Sequence, residues 1–187
     1  MEPIAINLEF TPNPNTLKFV VNRPLLERGA ANFVSADRAE KSPLAKRLFT
    51  VPGVSAVMLG THFVTITKDP SGDWDVLAEH VPAQLEEHLA QGLPVVDADY
   101  VNETLAENNK GGGDIEQRIR EILDTDIRPA VAMDGGDITF DRYEDGVVYL
   151  EMRGACSSCA HSTATLKMGV ETRLKEAIPE IKEVVQI

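Results

Sequence analysis

Short runs rich in apolar and β-favouring residues, bounded by turn formers, predict β-strands in the first half of the chain. We place these strands at residues 7–10, 16–21, 54–59 and 62–67, with a further short strand at 31–36. Turn formers that include Pro12 and Pro14 separate the first two runs, and Gly60-Thr61 separates the runs at 54–59 and 62–67. Each of these two pairs is therefore expected to form a hairpin.

Two stretches of the same half show a helical period instead. Ser42 and Pro43 are residue types favoured at an N-cap and at the first helical position, and Pro52-Gly53 would end this helix. From Trp74 onward the apolar residues fall on one stripe, which predicts a longer helix with that stripe in the core. Pro82 removes one backbone hydrogen bond within this helix, but the stripe continues past it.

The second half predicts a helix, two strands, another helix and a last strand, in that order. The first helix is expected to begin with Asp114 as its cap and to be interrupted at Pro129. Asp134-Gly135-Gly136-Asp137 is interpreted as a turn whose glycines allow positive φ, although glycines can also let a backbone approach a bound group. The next strand should point Ile138 inward and Asp137 outward. The remaining elements are expected near residues 147–152, 158–177 and 182–187.

The composition between the two halves predicts a linker. Residues 106–113 are polar and end in three glycines, which is typical of a flexible connection. We therefore assign residues 1–98 to a first domain, 99–113 to the linker and 114–187 to a second domain. The mixed order of strands and helices predicts an α+β fold, with two small α/β-sandwich-type domains joined by the linker.

Both cysteines of the chain, Cys156 and Cys159, lie where a predicted strand passes into a predicted helix. Backbone N–H groups in a first helical turn favour anions, and thiolates are well placed there to bind metal or to attack. Zinc and iron–sulfur clusters normally take four protein ligands, so one chain is short by two. A second copy of the chain would supply them. His161 could supply one ligand, but a solvated residue at the helix start is the favoured interpretation of that residue.

The cysteine pair alone leaves other interpretations open. A dithiol–disulfide oxidoreductase also places such a pair at a strand-to-helix junction, but the elements around this pair do not match that fold. Four cysteines from two chains could instead hold a structural zinc ion. A pair of small buried hydrophobic residues is the plainest alternative.

Composition and charge narrow the possible partners and location. Acidic residues outnumber basic ones by 30 to 18, which argues against binding to nucleic acid or to an anionic membrane. No run approaches the ~18 apolar residues of a membrane-spanning helix. The N-terminus resembles neither a signal peptide nor an Arg-rich transit segment, so we expect a cytoplasmic protein with reduced thiols.

Several blocks of sequence resemble one known family. Met133-Asp134-Gly135-Gly136-Asp137, Gly154-Ala155-Cys156-Ser157-Ser158-Cys159 and Thr165-Leu166-Lys167 resemble the C-terminal domain of NifU, over roughly residues 114–187. Thr11-Pro12-Asn13-Pro14-Asn15, Val51-Pro52-Gly53-Val54 and Phe63-Val64-Thr65-Ile66-Thr67-Lys68 resemble the N-terminal domain of Nfu proteins. The blocks occur in the family's order and account for nearly the whole chain.

The resemblance implies a scaffold or carrier for iron–sulfur clusters. In this family a 4Fe–4S cluster bridges two protomers, so Cys156 and Cys159 would be the ligands from each chain of a homodimer. The implied partners are the upstream cluster assembly machinery and apo iron–sulfur proteins as recipients. Many relatives have Pro-Ser after the second cysteine, where this chain has Ala160-His161. No nucleophile–base arrangement or nucleotide-binding glycine motif is present, so we expect a protein that is not an enzyme.

Overall fold

A computed structural model describes residues 3–100, 112–157 and 160–187, with only the backbone described at 160–163. The chain divides into two compact units, Met1–Lys110 and Gly111–Ile187. Most of the predicted linker, residues 101–111, lies outside the described residues, so its flexibility stays a prediction, as do the domain boundaries at 98 and 114. In the described part, no helix is both long and apolar enough to cross a membrane.

The first unit contains an antiparallel sheet with the strand order β1-β2-β5-β4-β3. The strands are β1 at Ile6–Phe10, β2 at Thr16–Val21, β3 at Ala31–Phe33, β4 at Val54–Leu59 and β5 at Phe63–Lys68. Both predicted hairpins are confirmed, since β1 pairs with β2 and β4 pairs with β5, each in antiparallel register. The pairing of β2 with β5 joins the hairpins into one sheet.

Two helices of the first unit supply the apolar faces that pack on this sheet. They are α1 at Pro43–Phe49 and α2 at Trp74–Ala90, and a short 3₁₀ helix at Ala36–Ala39 precedes them. The Ser42 hydroxyl accepts a hydrogen bond from the Ala45 N–H at 3.0 Å, which confirms the predicted N-cap. The helix α2 continues through Pro82, and its stripe is buried as expected.

A buried histidine holds the chain that leaves α2. His88 is 1% exposed, and its Nε2 atom hydrogen-bonds the Pro94 carbonyl at 3.0 Å. The Ser42 hydroxyl donates to the Val95 carbonyl at 2.7 Å. Burial lowers the pKa of His88, and the charge of Arg47 acts in the same direction, although the bond to Pro94 opposes them. The neutral ring is therefore the form that fits this packing.

The second unit contains a sheet with the strand order β6-β7-β8. The antiparallel pair β6 and β7 spans Gly136–Glu144 and Val147–Gly154, and β8 at Glu183–Gln186 runs parallel to β7. Its helices are α3 at Asp114–Ile122, α4 at Arg128–Met133 and α5 at Ala160–Ala177. A single π-helical segment, Leu123–Ile127, joins α3 to α4. These elements confirm the predicted α+β class.

Two details at the start of this unit differ from the sequence prediction. Asp114 is not the helix cap, because Gly113 occupies that position and Asp114 is the first helical residue. Its carboxylate still lies at the positive end of the helix dipole, which explains the residue type. Pro129 does not end the helical region. It lies in the first turn of α4, where a missing N–H leaves no helical bond unmade.

The core of the second unit combines one face of the sheet with the apolar faces of its helices. The sheet contributes Ile138, Val148, Leu150 and Met152, as the alternation predicted. The helical elements contribute the buried residues Ile119, Leu123, Ile127, Val131, Val170, Leu174 and Ile178. This core also contains Cys156, one of the two predicted ligands.

Candidate metal centre

Cys156 lies in the turn between β7 and α5, at the strand-to-helix junction that the sequence predicts. The strand ends at Gly154, whose φ of 66° turns the chain in the left-handed region. The Gly154 carbonyl accepts hydrogen bonds from the Ser157 backbone N–H at 3.2 Å and from its hydroxyl at 2.8 Å. The turn is thus closed by short local bonds around the cysteine.

The other predicted ligands cannot be placed beside it. Cys159 and Ser158 lie outside the described residues, and the side chain of His161 is likewise outside them. Elsewhere in the described part, no group of three or more His, Cys, Asp and Glu side chains is arranged to hold a metal ion. The assignment of Cys156 and Cys159 as a ligand pair therefore stays a prediction.

The thiol of Cys156 points into the core of the second unit. The residue is 3% exposed and belongs to the same cluster of buried side chains as Ile138 and Met152. In this arrangement Cys156 packs as a small hydrophobic residue. The buried residue is therefore the same one that the sequence predicts as a ligand.

Gly136 makes room for this thiol. A Cβ atom at Gly136 would lie 2.4 Å from the Cys156 Sγ atom, a distance that would force one of them to move. Gly136 opens β6 and pairs with Gly154, which ends β7. The predicted turn over residues 134–137 is correct for Asp134 and for Gly135, which has a φ of 75°. Gly136 is a strand residue, and the Cys156 thiol occupies the space that a side chain at this position would need.

The turn at Asp134 and Gly135 is hydrogen-bonded to the turn that carries Cys156. The Gly135 carbonyl accepts from the Ala155 N–H at 3.1 Å. The segments around Gly135 and Cys156, which are distant in sequence, therefore form one structural unit. Two of the blocks that carry the family resemblance meet at this point.

A buried ion pair fixes the residue after Gly136. The Nε and Nη2 atoms of Arg128 donate to the two carboxylate oxygens of Asp137, each at 2.9 Å, and the Asp137 side chain is 7% exposed. Arg128 also donates to Asp124 at 2.8 Å. Burial opposes the charge of Arg128, but the hydrogen bonds that it donates to Asp137 and Asp124, together with the charges of these carboxylates, outweigh burial and raise the pKa of Arg128.

Asp137 therefore lies on the expected face of the strand, but the exposure to solvent expected there is wrong. The strand alternation does place it on the face opposite Ile138, but Arg128 of α4 reaches it and covers it. The alternation of residues within one strand does not show whether a helix from another part of the chain covers one of its faces. A lone charged residue that directly follows two glycines is the weak signal that could have indicated a fixed partner.

The helix that follows the cysteines is tied to the rest of the unit at its far end. The Glu171 carboxylate accepts from the Val184 N–H of β8 at 3.1 Å and pairs with Lys175 at 2.5 Å. Arg173 donates to Asp126 of the π-helical segment at 2.9 Å. These contacts hold α5 against β8 and against the first helices, while its start follows the cysteine turn.

The architecture defines a two-unit α+β protein in which the turn that carries Cys156 packs against Gly135 and Gly136. Two family models match the two units in order: "Scaffold protein Nfu/NifU N terminal" over residues 6–92, and "NifU-like domain" over residues 119–185. The chain belongs to the NifU/Nfu scaffold family.

The human and Drosophila relatives agree with this assignment. The human mitochondrial NFU1 iron–sulfur cluster scaffold homologue is 38% identical over 183 residues, which cover 97% of this chain and 71% of the relative. The Drosophila grimshawi homologue of the same name is 44% identical over 183 residues, with 97% of this chain and 61% of the relative covered. The chain thus spans less than two thirds of the length of that relative. A solution structure of a NifU-like protein from Saccharomyces cerevisiae is 29% identical, with a TM-score of 0.47, and covers 51% of this chain and 87% of its own.

The relatives correct one expectation. They are named as mitochondrial proteins, which contradicts the cytoplasmic location expected from the sequence. That expectation used the residues at the N-terminus, but targeting segments are removed from mature proteins and their absence does not identify a compartment.

Proposed function

We propose that this protein is an iron–sulfur cluster scaffold and carrier that holds a 4Fe–4S cluster between two copies of the chain. Cys156 and Cys159 of each copy would supply the thiolates. The cluster is cargo, taken from an upstream assembly system and passed to apo iron–sulfur proteins. The relatives support this proposal, because they are named iron–sulfur cluster scaffold homologues.

The observation that carries the proposal is the cysteine count at this turn. The chain has two cysteines, and both lie in the sequence between the end of β7 and the start of α5, in the unit matched by the NifU-like model. A 4Fe–4S cluster normally takes four thiolates, so two chains complete the set without any other ligand.

A shared centre also suits a carrier. Ligands divided between two copies can be released when the copies separate, so the cluster can leave without unfolding of either chain. We propose no catalytic turnover, since the sequence has no nucleophile–base motif and the role of the cysteines is to bind and release cargo.

Anaerobic reconstitution with iron and sulfide tests the ligand assignment. Wild type should bind about four irons and four sulfides per two chains, and both Cys156→Ser and Cys159→Ser should lose most of them. The matched control is His161→Ala, which should keep the wild-type iron content if that residue is not a ligand. Equal iron content in wild type and Cys156→Ser would contradict the proposal.

The same samples separate the alternatives. Zinc retained without sulfide would identify a structural zinc dimer instead. Reduction of insulin disulfides by the iron-free protein would identify a dithiol oxidoreductase. Carrier function is tested by adding the loaded protein to an apo 4Fe–4S dehydratase in the presence of an iron chelator. Recovery of dehydratase activity is expected from wild type and not from Cys156→Ser.

A further inference from the structure

We infer that the cluster-free chain keeps the Cys156 thiol in the core of its second unit, against Gly136, and that loading requires the turn at residues 154–157 to open. Gly136 is the positioning residue of this arrangement. The inference rests on the proposed function, in which Cys156 is a cluster ligand.

The first step concerns access. A ligand to a cluster held between two chains must reach the surface of its own chain. Cys156 is 3% exposed and lies among buried apolar side chains such as Ile138 and Met152. A thiol in this position cannot meet a second copy of the chain. The ligand-competent position therefore differs from the one that the structure shows.

The second step concerns the space beside the strand. A Cβ atom at Gly136 would lie 2.4 Å from the Cys156 Sγ and 3.0 Å from the Cys156 Cβ, closer than real Cβ contacts allow. A side chain at position 136 and a buried thiol at 156 therefore exclude each other. Glycine at this position makes the buried arrangement possible.

The third step identifies which part moves. Asp137, next to Gly136, is held by the two 2.9 Å hydrogen bonds from Arg128 and belongs to the long strand β6. The cysteine turn has a glycine hinge at Gly154, and the Ala155 N–H bonds the Gly135 carbonyl at 3.1 Å. Opening the turn would break this backbone bond and rotate the chain at Gly154, which would move the thiol out of the core while β6 stays in place.

This arrangement would regulate the proposed site. In the closed turn, Cys156 is withheld from oxidants and from stray metal ions, since both need access to the sulfur. In the open turn it becomes a ligand. The balance between the two positions would then set how readily the chain accepts a cluster.

Alkylation of the cluster-free protein tests the inference. In a Cys159→Ser background Cys156 is the only thiol, and its reaction with iodoacetamide is followed by mass spectrometry at one pH, in buffer and in denaturant. We expect the folded protein to react at least about tenfold more slowly, since local opening limits access to buried groups. Adding Gly136→Ala should remove most of this protection.

Two control variants separate a local effect from general destabilisation. Gly169→Ala places a Cβ where nothing lies within 4 Å, so the protection should persist. Val184→Ala removes buried volume from β8, the edge strand that β7 separates from β6, and should lower stability without exposing the thiol. If Gly136→Ala exposes Cys156 no more than an equally destabilised Val184→Ala does, the positioning role of Gly136 is wrong.

Slow alkylation of Cys156 in the Cys159→Ser protein is by itself enough to test whether the thiol is buried, even if the variant with Gly136→Ala does not fold. A folded protein that reacts as fast as the denatured one would overturn it. These outcomes are independent of the proposed function, because they are measured without cluster. A chain that fails this test but still binds iron and sulfide through Cys156 would keep its carrier role and lose only the closed turn.

Discussion

Replacing Asp137 with Asn should destabilise the second unit and leave the first unit unchanged. The change removes the charge that Arg128 faces, although the amide keeps the shape of the carboxylate. Asp137 is 7% exposed at its side chain and Arg128 is 21% exposed, so both groups are largely desolvated. Removing one partner of a buried pair costs about 3–5 kcal/mol, but Arg128 retains Asp124 and some solvent, so we expect about 2–3 kcal/mol.

Urea denaturation can resolve this loss unit by unit. Trp74 is the one tryptophan of the chain and lies in α2, so its fluorescence reports the first unit. Hydrogen exchange of peptides from β6 and β7 reports the second. For a urea slope of about 1–2 kcal/mol per molar, the midpoint of the second unit should fall by about 1–3 M. The Trp74 transition should not move.

Asp141→Asn is the matched control. It makes the same substitution in the same strand, but Asp141 is 41% exposed and pairs with an exposed Arg142. Surface ion pairs contribute about 0–1 kcal/mol, so this variant should remain close to wild type. Equal midpoints for Asp137→Asn and Asp141→Asn would refute the conclusion that the Arg128 pair anchors the strand beside the cysteine turn.

Three further predictions use the same transitions. Burial lowers the pKa of His88, so the neutral ring contributes to stability above the ordinary pKa near 6.5, and this contribution is lost as the pH falls. Wild type should therefore lose more stability than His88→Gln between pH 7.5 and 5.5, as measured by Trp74 fluorescence. The pKa of Glu171 is lowered chiefly by Lys175 and then by the Val184 N–H, so the stability that its carboxylate contributes is also lost on acidification. Glu171→Gln should therefore reduce the loss of stability at acidic pH and speed amide exchange in β8. Gly135→Ala forces a φ of 75° on a residue with a Cβ and should cost about 1–2 kcal/mol in the second unit, whereas Gly169→Ala should not. An unchanged midpoint for Gly135→Ala, or equal pH profiles for wild type and His88→Gln, would contradict these assignments.

Local chemistry explains what the sequence could predict. The strands at Thr16–Val21 and Phe63–Lys68 follow from their alternation, and the start of α1 follows from Ser42 and Pro43. The helix α2 was predicted despite Pro82, because the apolar stripe continues on both sides of it. In each case the residues that determine the structure are neighbours in the chain, so periodicity and capping rules are sufficient.

Long-range contacts explain the features that could not be predicted from the sequence. The burial of Asp137 depends on Arg128 in another element, and the need for glycine at position 136 depends on the thiol of Cys156. The π-helical segment Leu123–Ile127 follows from no local pattern, although Pro129 itself lies in the first turn of α4, where a local rule allows proline. The position of Cys156 at a strand-to-helix junction was predictable, but its burial was not.

The central claim is that one cluster is shared by two chains, and native mass spectrometry of the anaerobically reconstituted protein tests it most directly. We predict a dimer that carries one added mass of four irons and four sulfides, and monomers that carry none. The Cys156→Ser protein should stay free of added mass. A monomer that carries a complete cluster, or a dimer that carries zinc without sulfide, would contradict the shared iron–sulfur centre.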